Sequence, residues 1–92
     1  MSGETAIATV RIANRRGLHA RASAKFVTLA SSLPATIMVR KDGQEVVGTS
    51  IMGLMMLGAA MGDDITVSVS GDDAPAALAA VIELVENRFG ED

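Results

Sequence analysis

The sequence predicts an α+β fold in which a four-stranded antiparallel sheet is covered on one face by three helices, and three observations lead there. Strand-like and helix-like segments follow one another in the order β-α-β-β-α-β-α along 92 residues. Each strand-like segment carries apolar residues at alternate positions, so each offers one face to a core and one to water. The second and third strands are separated only by the pair Asp42-Gly43, which suits a tight hairpin turn and hence antiparallel pairing.

The first strand rests on Ala8, Val10 and Ile12, which alternate with Thr9 and Arg11. Gly17 interrupts that period. From His19 onward Ala22, Phe26, Leu29, Ala30 and Leu33 recur at three- and four-residue spacing, as a helix with one buried stripe requires, and Pro34 ends it. Ile37 and Val39 alternate with Thr36, Met38 and Arg40 in the second strand, and Gln44 to Val47 forms the return strand. Gly48-Thr49-Ser50 then introduces the apolar segment Ile51 to Leu57. Its length fits a two-turn helix capped by Ser50 or Thr49, and also a buried strand. Asp63-Asp64 opens the clearest strand, in which Ile65, Val67 and Val69 alternate with Thr66, Ser68 and Ser70. Asp72-Asp73-Ala74-Pro75 begins the last helix with acids and a proline in its first turn. Leu78, Ile82, Val85 and Phe89 are its expected stripe, and Gly90 its stop. With no internal repeat or linker, residues 1–92 are expected to form a single domain.

Composition narrows the function classes. Without cysteine there is no disulfide framework and no thiolate metal site, and one histidine cannot build a zinc cage, so neither metal nor cofactor is expected. The opening Met1-Ser2-Gly3-Glu4-Thr5 lacks the order of a signal peptide, and the longest apolar run, Ile51 to Met61, is too short to span a bilayer. A soluble, cytoplasmic monomer without membrane insertion is the expectation. The net charge of −3 argues against nucleic acid as a partner. Its distribution says more: residues 1–41 carry seven basic residues against Glu4 alone, while residues 42–92 carry Arg88 against ten acids. Arg15, Arg16, Arg21 and Lys25 crowd around the only histidine, His19, which shifts weight from the ordinary reading, a solvated basic surface, toward an anionic ligand or an acidic partner.

Chemistry is expected at Gly17-Leu18-His19-Ala20-Arg21, where the histidine falls at a loop-to-helix junction. Backbone N–H groups at a helix start lack intrahelical partners and the macrodipole is positive there, so an anion on or beside His19 is stabilised. A free ring nitrogen next to such an anion hole suits acceptance of a phosphoryl group, and the planar fork of Arg21 can reach its oxygens. The plainer alternative makes His19 a cap or surface residue. No G-x-S-x-G elbow accompanies Ser23, and the glycines between Gly53 and Gly62 lack a Walker pattern.

Two blocks, Gly17-Leu18-His19-Ala20-Arg21 before a helix and Ser50-Ile51-Met52-Gly53-Leu54-Met55 before Leu57-Gly58-Ala59, resemble the signatures of HPr, the histidine phosphocarrier of the phosphoenolpyruvate-dependent phosphotransferase system. The resemblance covers nearly the whole chain and implies the family's open-faced β-sandwich. It implies that His19 is phosphorylated at Nδ1 by enzyme I and hands the group to an EIIA-type protein, with Arg21 as the mobile charge partner of the phosphohistidine. Such a protein is a substrate and donor in a relay, not an enzyme. Ser50 matches the family's regulatory phosphorylation site, used by an HPr kinase/phosphorylase, alongside its reading as a helix N-cap. Ala20, Ile51, Met52, Leu54 and Met55 are expected to meet partners, the methionines repacking against more than one of them while Arg15, Arg16, Arg21 and Lys25 steer acidic surfaces toward His19. Alternatively, the cluster of methionines fills the core. Many members carry proline after the signature arginine, and this chain has Ala22. With Ile12-Ala13-Asn14-Arg15-Arg16 ahead of the glycine, that departure resembles the nitrogen-type regulatory branch more than the sugar-transport type. The second functional reading is accordingly a phosphorylation-gated regulatory binding protein without a sugar-transport role.

Overall fold

The computed structural model describes residues 4–91. These form β1 (Thr5–Arg11), α1 (Ala20–Ser32), β2 (Ala35–Lys41), β3 (Gln44–Val47), α2 (Ile51–Met56), β4 (Asp64–Gly71) and α3 (Ala74–Glu86), followed by a short 3₁₀ turn at Arg88–Gly90. The sheet order is β1-β4-β2-β3 and each neighbouring pair is antiparallel. β4, late in the sequence, therefore fills the centre and joins the β1 end of the chain to the hairpin. Its inward residues set the register: Ile65 lies opposite Val10, Val67 between Ala8 and Val39, and Val69 between Ala6 and Ile37. Ile65, Val67 and Val69 are fully buried and join Phe26, Leu54, Val81 and Val85 in the core. The intervening hydroxyl residues take the open face, where Thr9 and Thr66 share a hydrogen bond of 3.1 Å.

The hairpin turns as its sequence requires. Asp42 and Gly43 both adopt positive φ, 51° and 82°, the pair of left-handed residues that matches the twist of two antiparallel strands. Ile51–Met56 is a helix and not a strand, and its cap is Ser50 and not Thr49. In α1 the buried line runs through Ala22, Ser23, Phe26 and Ala30. Ser23 tolerates full burial because its hydroxyl donates to the Leu18 carbonyl at 3.1 Å.

The last helix departs from expectation. Ala74, Ala77, Val81 and Val85 are the buried residues of α3, and Leu78 and Ile82 are only half-buried. Alanines on the contact line let α3 lie close to β1 and β4, which pushes the larger leucine and isoleucine to the flank. The helix also stops at Glu86, with Asn87 as its C-cap, well before Gly90. Arg88 and Phe89 turn left-handed, with φ of 58° and 55°, so Phe89 enters the core from a turn and not from the helical stripe. At the other end Asp73 is the N-cap, itself left-handed and without a side-chain capping bond, so the acids precede the first turn instead of occupying it. Among the described residues no helix is long and apolar enough to cross a membrane.

Candidate functional site

The approach to α1 is built to hold a turn. Gly17 has φ of +64°, and a Cβ at this position would overlap the Ala59 carbonyl and lie 2.9 Å from Ala60 Cα. Only glycine fits both the dihedral and the contact. Leu18 N–H then donates to Ala59 O at 2.9 Å, which seats the loop on the segment following α2. Inside the loop the fully buried Asn14 donates from Nδ2 to Gly17 O at 2.8 Å.

That loop delivers His19 as the N-cap of α1. Its Nδ1 accepts hydrogen bonds from the backbone N–H groups of Arg21 at 3.1 Å and Ala22 at 3.2 Å. A nitrogen accepting two donors carries no proton, so this network assigns the ring proton to Nε2. Nε2 lies 3.1 Å from Oε1 of Glu91, a residue 72 positions away in sequence, and the imidazole is 14% exposed. The lone pair of Nδ1 thus points at the donors of a helix start, where a developing negative charge is stabilised. Arg21 is exposed, and among the described residues its guanidinium makes no hydrogen bond or ion pair. Arg15 and Arg16 are exposed on the same loop.

A second capped start lies next to the first, because α2 packs on α1. Ser50 Oγ accepts from Gly53 N–H at 2.9 Å, the ordinary geometry of a hydroxyl N-cap. Around it Ile51 and Met55 are about two-fifths exposed, while Met52 and Met56 are 69% and 73% exposed. Together they leave a patch of large apolar side chains open to water beside the start of α1.

A family model described as the PTS HPr component phosphorylation site matches residues 7–87. The chain belongs to the HPr family. It is 44% identical over 80 residues to the phosphocarrier protein HPr of Cupriavidus necator, covering 87% of this chain and 90% of that one. It is 43% identical over 82 residues to the phosphocarrier protein NPr of Shewanella violacea, covering 89% and 90%. A crystal structure of HPr from Thermoanaerobacter tengcongensis superposes with a TM-score of 0.89 at 42% identity, covering 95% of this chain and 98% of that one. The open, four-stranded antiparallel sheet with three helices is the HPr fold.

Within this HPr fold, His19, Ala20 and Arg21 stand at the start of α1, and Ser50, Ile51, Met52 and Met55 stand on the adjoining α2. Leu54 does not join them. It was expected to meet partners, but it is fully buried and turns into the core, because a six-residue helix lying on α1 and β3 must anchor itself with one side chain. Lys25 is exposed, and its Nζ donates to Phe89 O at 2.7 Å, a neutral acceptor that leaves its charge in place. Sequence alone assigns no place in the site to Glu91 or to the side chain of Asn14. Neither has a local pattern: Glu91 reaches the site only because Phe89 is drawn into the core.

Proposed function

We propose that this HPr-family protein carries a phosphoryl group on Nδ1 of His19, taking it from phosphorylated enzyme I and passing it to an EIIA-type protein in the cytoplasm. The observation that supports this most is the unprotonated Nδ1 aimed at the Arg21 and Ala22 amides. The Nδ1 lone pair forms the new bond to phosphorus as the donor's bond to phosphorus breaks, and that bond's electron pair leaves with the donor. The two amides lose their nitrogen acceptor at that moment and bond to phosphoryl oxygens instead. Their dipole adds about 0.3–1 kcal/mol at an exposed helix start and about 2 kcal/mol where it is partly sheltered. Arg21, uncommitted to any described residue, closes on the phosphoryl group as a planar, always-charged donor. Ala20 and Arg21 beside the histidine are exposed, so the group remains within reach of the next acceptor.

Partner choice follows from the surroundings. Arg15, Arg16 and Arg21 draw acidic surfaces toward His19, and Ala20, Ile51, Met52 and Met55 form the apolar contact. Phosphorylation of Ser50 by an HPr kinase/phosphorylase adds about −2 charge beside that contact without disturbing a helix start that favours anions.

The test is intact-protein mass after incubation with phosphoenolpyruvate and active enzyme I. The wild-type protein gains one phosphoryl group that acid removes, and His19→Ala gains none. An acid-stable adduct, or one that persists in the variant, overturns the assignment.

A further inference from the structure

We propose that the methionines of α2 are a reversible sulfoxidation site, at which peroxide turns the apolar docking face of the protein into a polar one and so weakens its engagement by enzyme I. The inference rests on the carrier reading above and names a way of regulating it. Its first support is which side chains can react. The chain has six methionines and no cysteine, tryptophan or tyrosine. No thiol competes for an oxidant, so methionine is the side chain that peroxide attacks first. Four of the six fall within residues 52–61. Met52 is 69% exposed, Met56 73%, Met61 58% and Met55 41%, whereas Met38 is half-buried on the open face of the sheet, opposite Ser68 and Val47.

The second support is where these sulfurs stand. Met52 and Met56 are four residues apart and share an outward side of α2, with Met55 next to them. The inward side is held by Leu54, which is fully buried, and the helix start by the Ser50 cap at 2.9 Å. The thioethers therefore react without the helix letting go: none of the three belongs to the core, and a sulfoxide oxygen facing water needs no partner from the protein. What changes is the surface. Because α2 packs on α1, the three side chains and Ile51 lie beside the helix start that presents His19. Flexible thioethers suit a face that must repack against more than one partner, and polar, chiral sulfoxides do not.

In the reaction a sulfur lone pair attacks one oxygen of hydrogen peroxide and the O–O bond breaks. That oxygen stays on sulfur and the other leaves as water, so the thioether loses two electrons and the peroxide gains them. No charge is added, in contrast to a phosphate on Ser50, and what is lost is apolar contact and not electrostatic steering. A dithiol reverses the step through methionine sulfoxide reductases: the sulfoxide oxygen leaves as water and the dithiol becomes a disulfide. His19 is untouched throughout, so transfer at Nδ1 keeps its own rate once a partner has docked.

The experiment treats the full-length protein with graded hydrogen peroxide, removes the oxidant, and maps the added oxygen by peptide mass before measuring acceptance of phosphate from enzyme I. Met52 and Met56 should be oxidised well before Met38. KM for the carrier should then rise by about tenfold, the size of losing one buried interface contact, with kcat unchanged. Methionine sulfoxide reductases with dithiothreitol should restore the untreated KM. In Met52→Leu/Met55→Leu/Met56→Leu, which keeps Met38 and Met61, treatment should leave KM at that variant's own untreated value. A circular dichroism melt of the oxidised wild type should keep its cooperative transition, and loss of the transition would overturn the inference. So would an oxidised wild type with an unchanged KM, a rise that the reductases do not reverse, or peroxide sensitivity that persists in the triple variant. An untreated wild type that takes no phosphoryl group from active enzyme I counts against the carrier reading and removes this inference with it, whereas acceptance that oxidation leaves intact counts against the methionines alone.

Discussion

The starts of α1 and α2 solve the same problem with different side chains. Each helix leaves backbone N–H groups unpartnered, and each is capped by the residue before it: His19 Nδ1 takes the Arg21 and Ala22 amides, and Ser50 Oγ takes the Gly53 amide. Serine is a common N-cap and histidine is not. The histidine is also held on its far side by Glu91, whereas Ser50 is surrounded by exposed Ile51 and Met52. A cap can therefore be a nucleophile in waiting. In the proposed carrier role, the lone pair that stabilises the helix is also the one that attacks phosphorus.

The largest expected effect separates capping from chemistry at His19. Asparagine caps helices as well as serine does, but offers no ring nitrogen. His19→Asn should therefore unfold within about 1 kcal/mol of wild type in urea, and still show no acid-labile phosphoryl group by mass. Any phosphorylation of the variant by enzyme I would break the comparison, because it would mean that the cap at α1 is only a cap.

An intermediate effect is expected at α2. Aspartate also caps, and its charge suits the helix start, so Ser50→Asp should keep or slightly raise thermal stability. The added charge lies beside Ile51, Met52 and Met55, and acceptance of phosphate from enzyme I should slow by about tenfold, mainly through KM. Steady-state phosphorylation at several carrier concentrations checks this. A wild-type KM would detach α2 from the docking surface.

The sequence exposed one of these starts more fully than the other, for a physical reason. Gly17, His19 and Arg21 lie within five residues, and glycine followed by a histidine at a helix junction signals its chemistry locally. The strands were legible for the same reason, since alternation in Ile65, Val67 and Val69 needs no distant partner to be read. In α2 almost every position is apolar, so periodicity could not tell buried Leu54 from its exposed neighbours; only the packing against α1 and β3 makes that choice. The closing turn failed differently. Val85 and Phe89 keep a four-residue spacing that extends the helical stripe, but the buried ring and the Lys25 clasp pull the chain out of the helix at Asn87. Everything Glu91 does depends on that departure.

The smallest expected effect concerns the serine cap without its regulatory role. Ser50→Ala removes one hydrogen bond, from Gly53 N–H at 2.9 Å, and should cost about 1 kcal/mol in urea unfolding. For a domain of this size that corresponds to a fall in Tm of roughly 4–8 °C. The hydroxyl makes no described contact with the His19 ring, and alanine adds neither bulk nor charge to the docking face. Phosphate acceptance below Tm should therefore match wild type. A Ser50→Ala protein that is destabilised but fully competent places the two starts in separate roles, one carrying the group and one holding the surface that partners touch. Slowed acceptance in the folded variant would instead mean that α2 must be held rigid for His19 to work, and the two caps would then be coupled through the packing of α2 on α1.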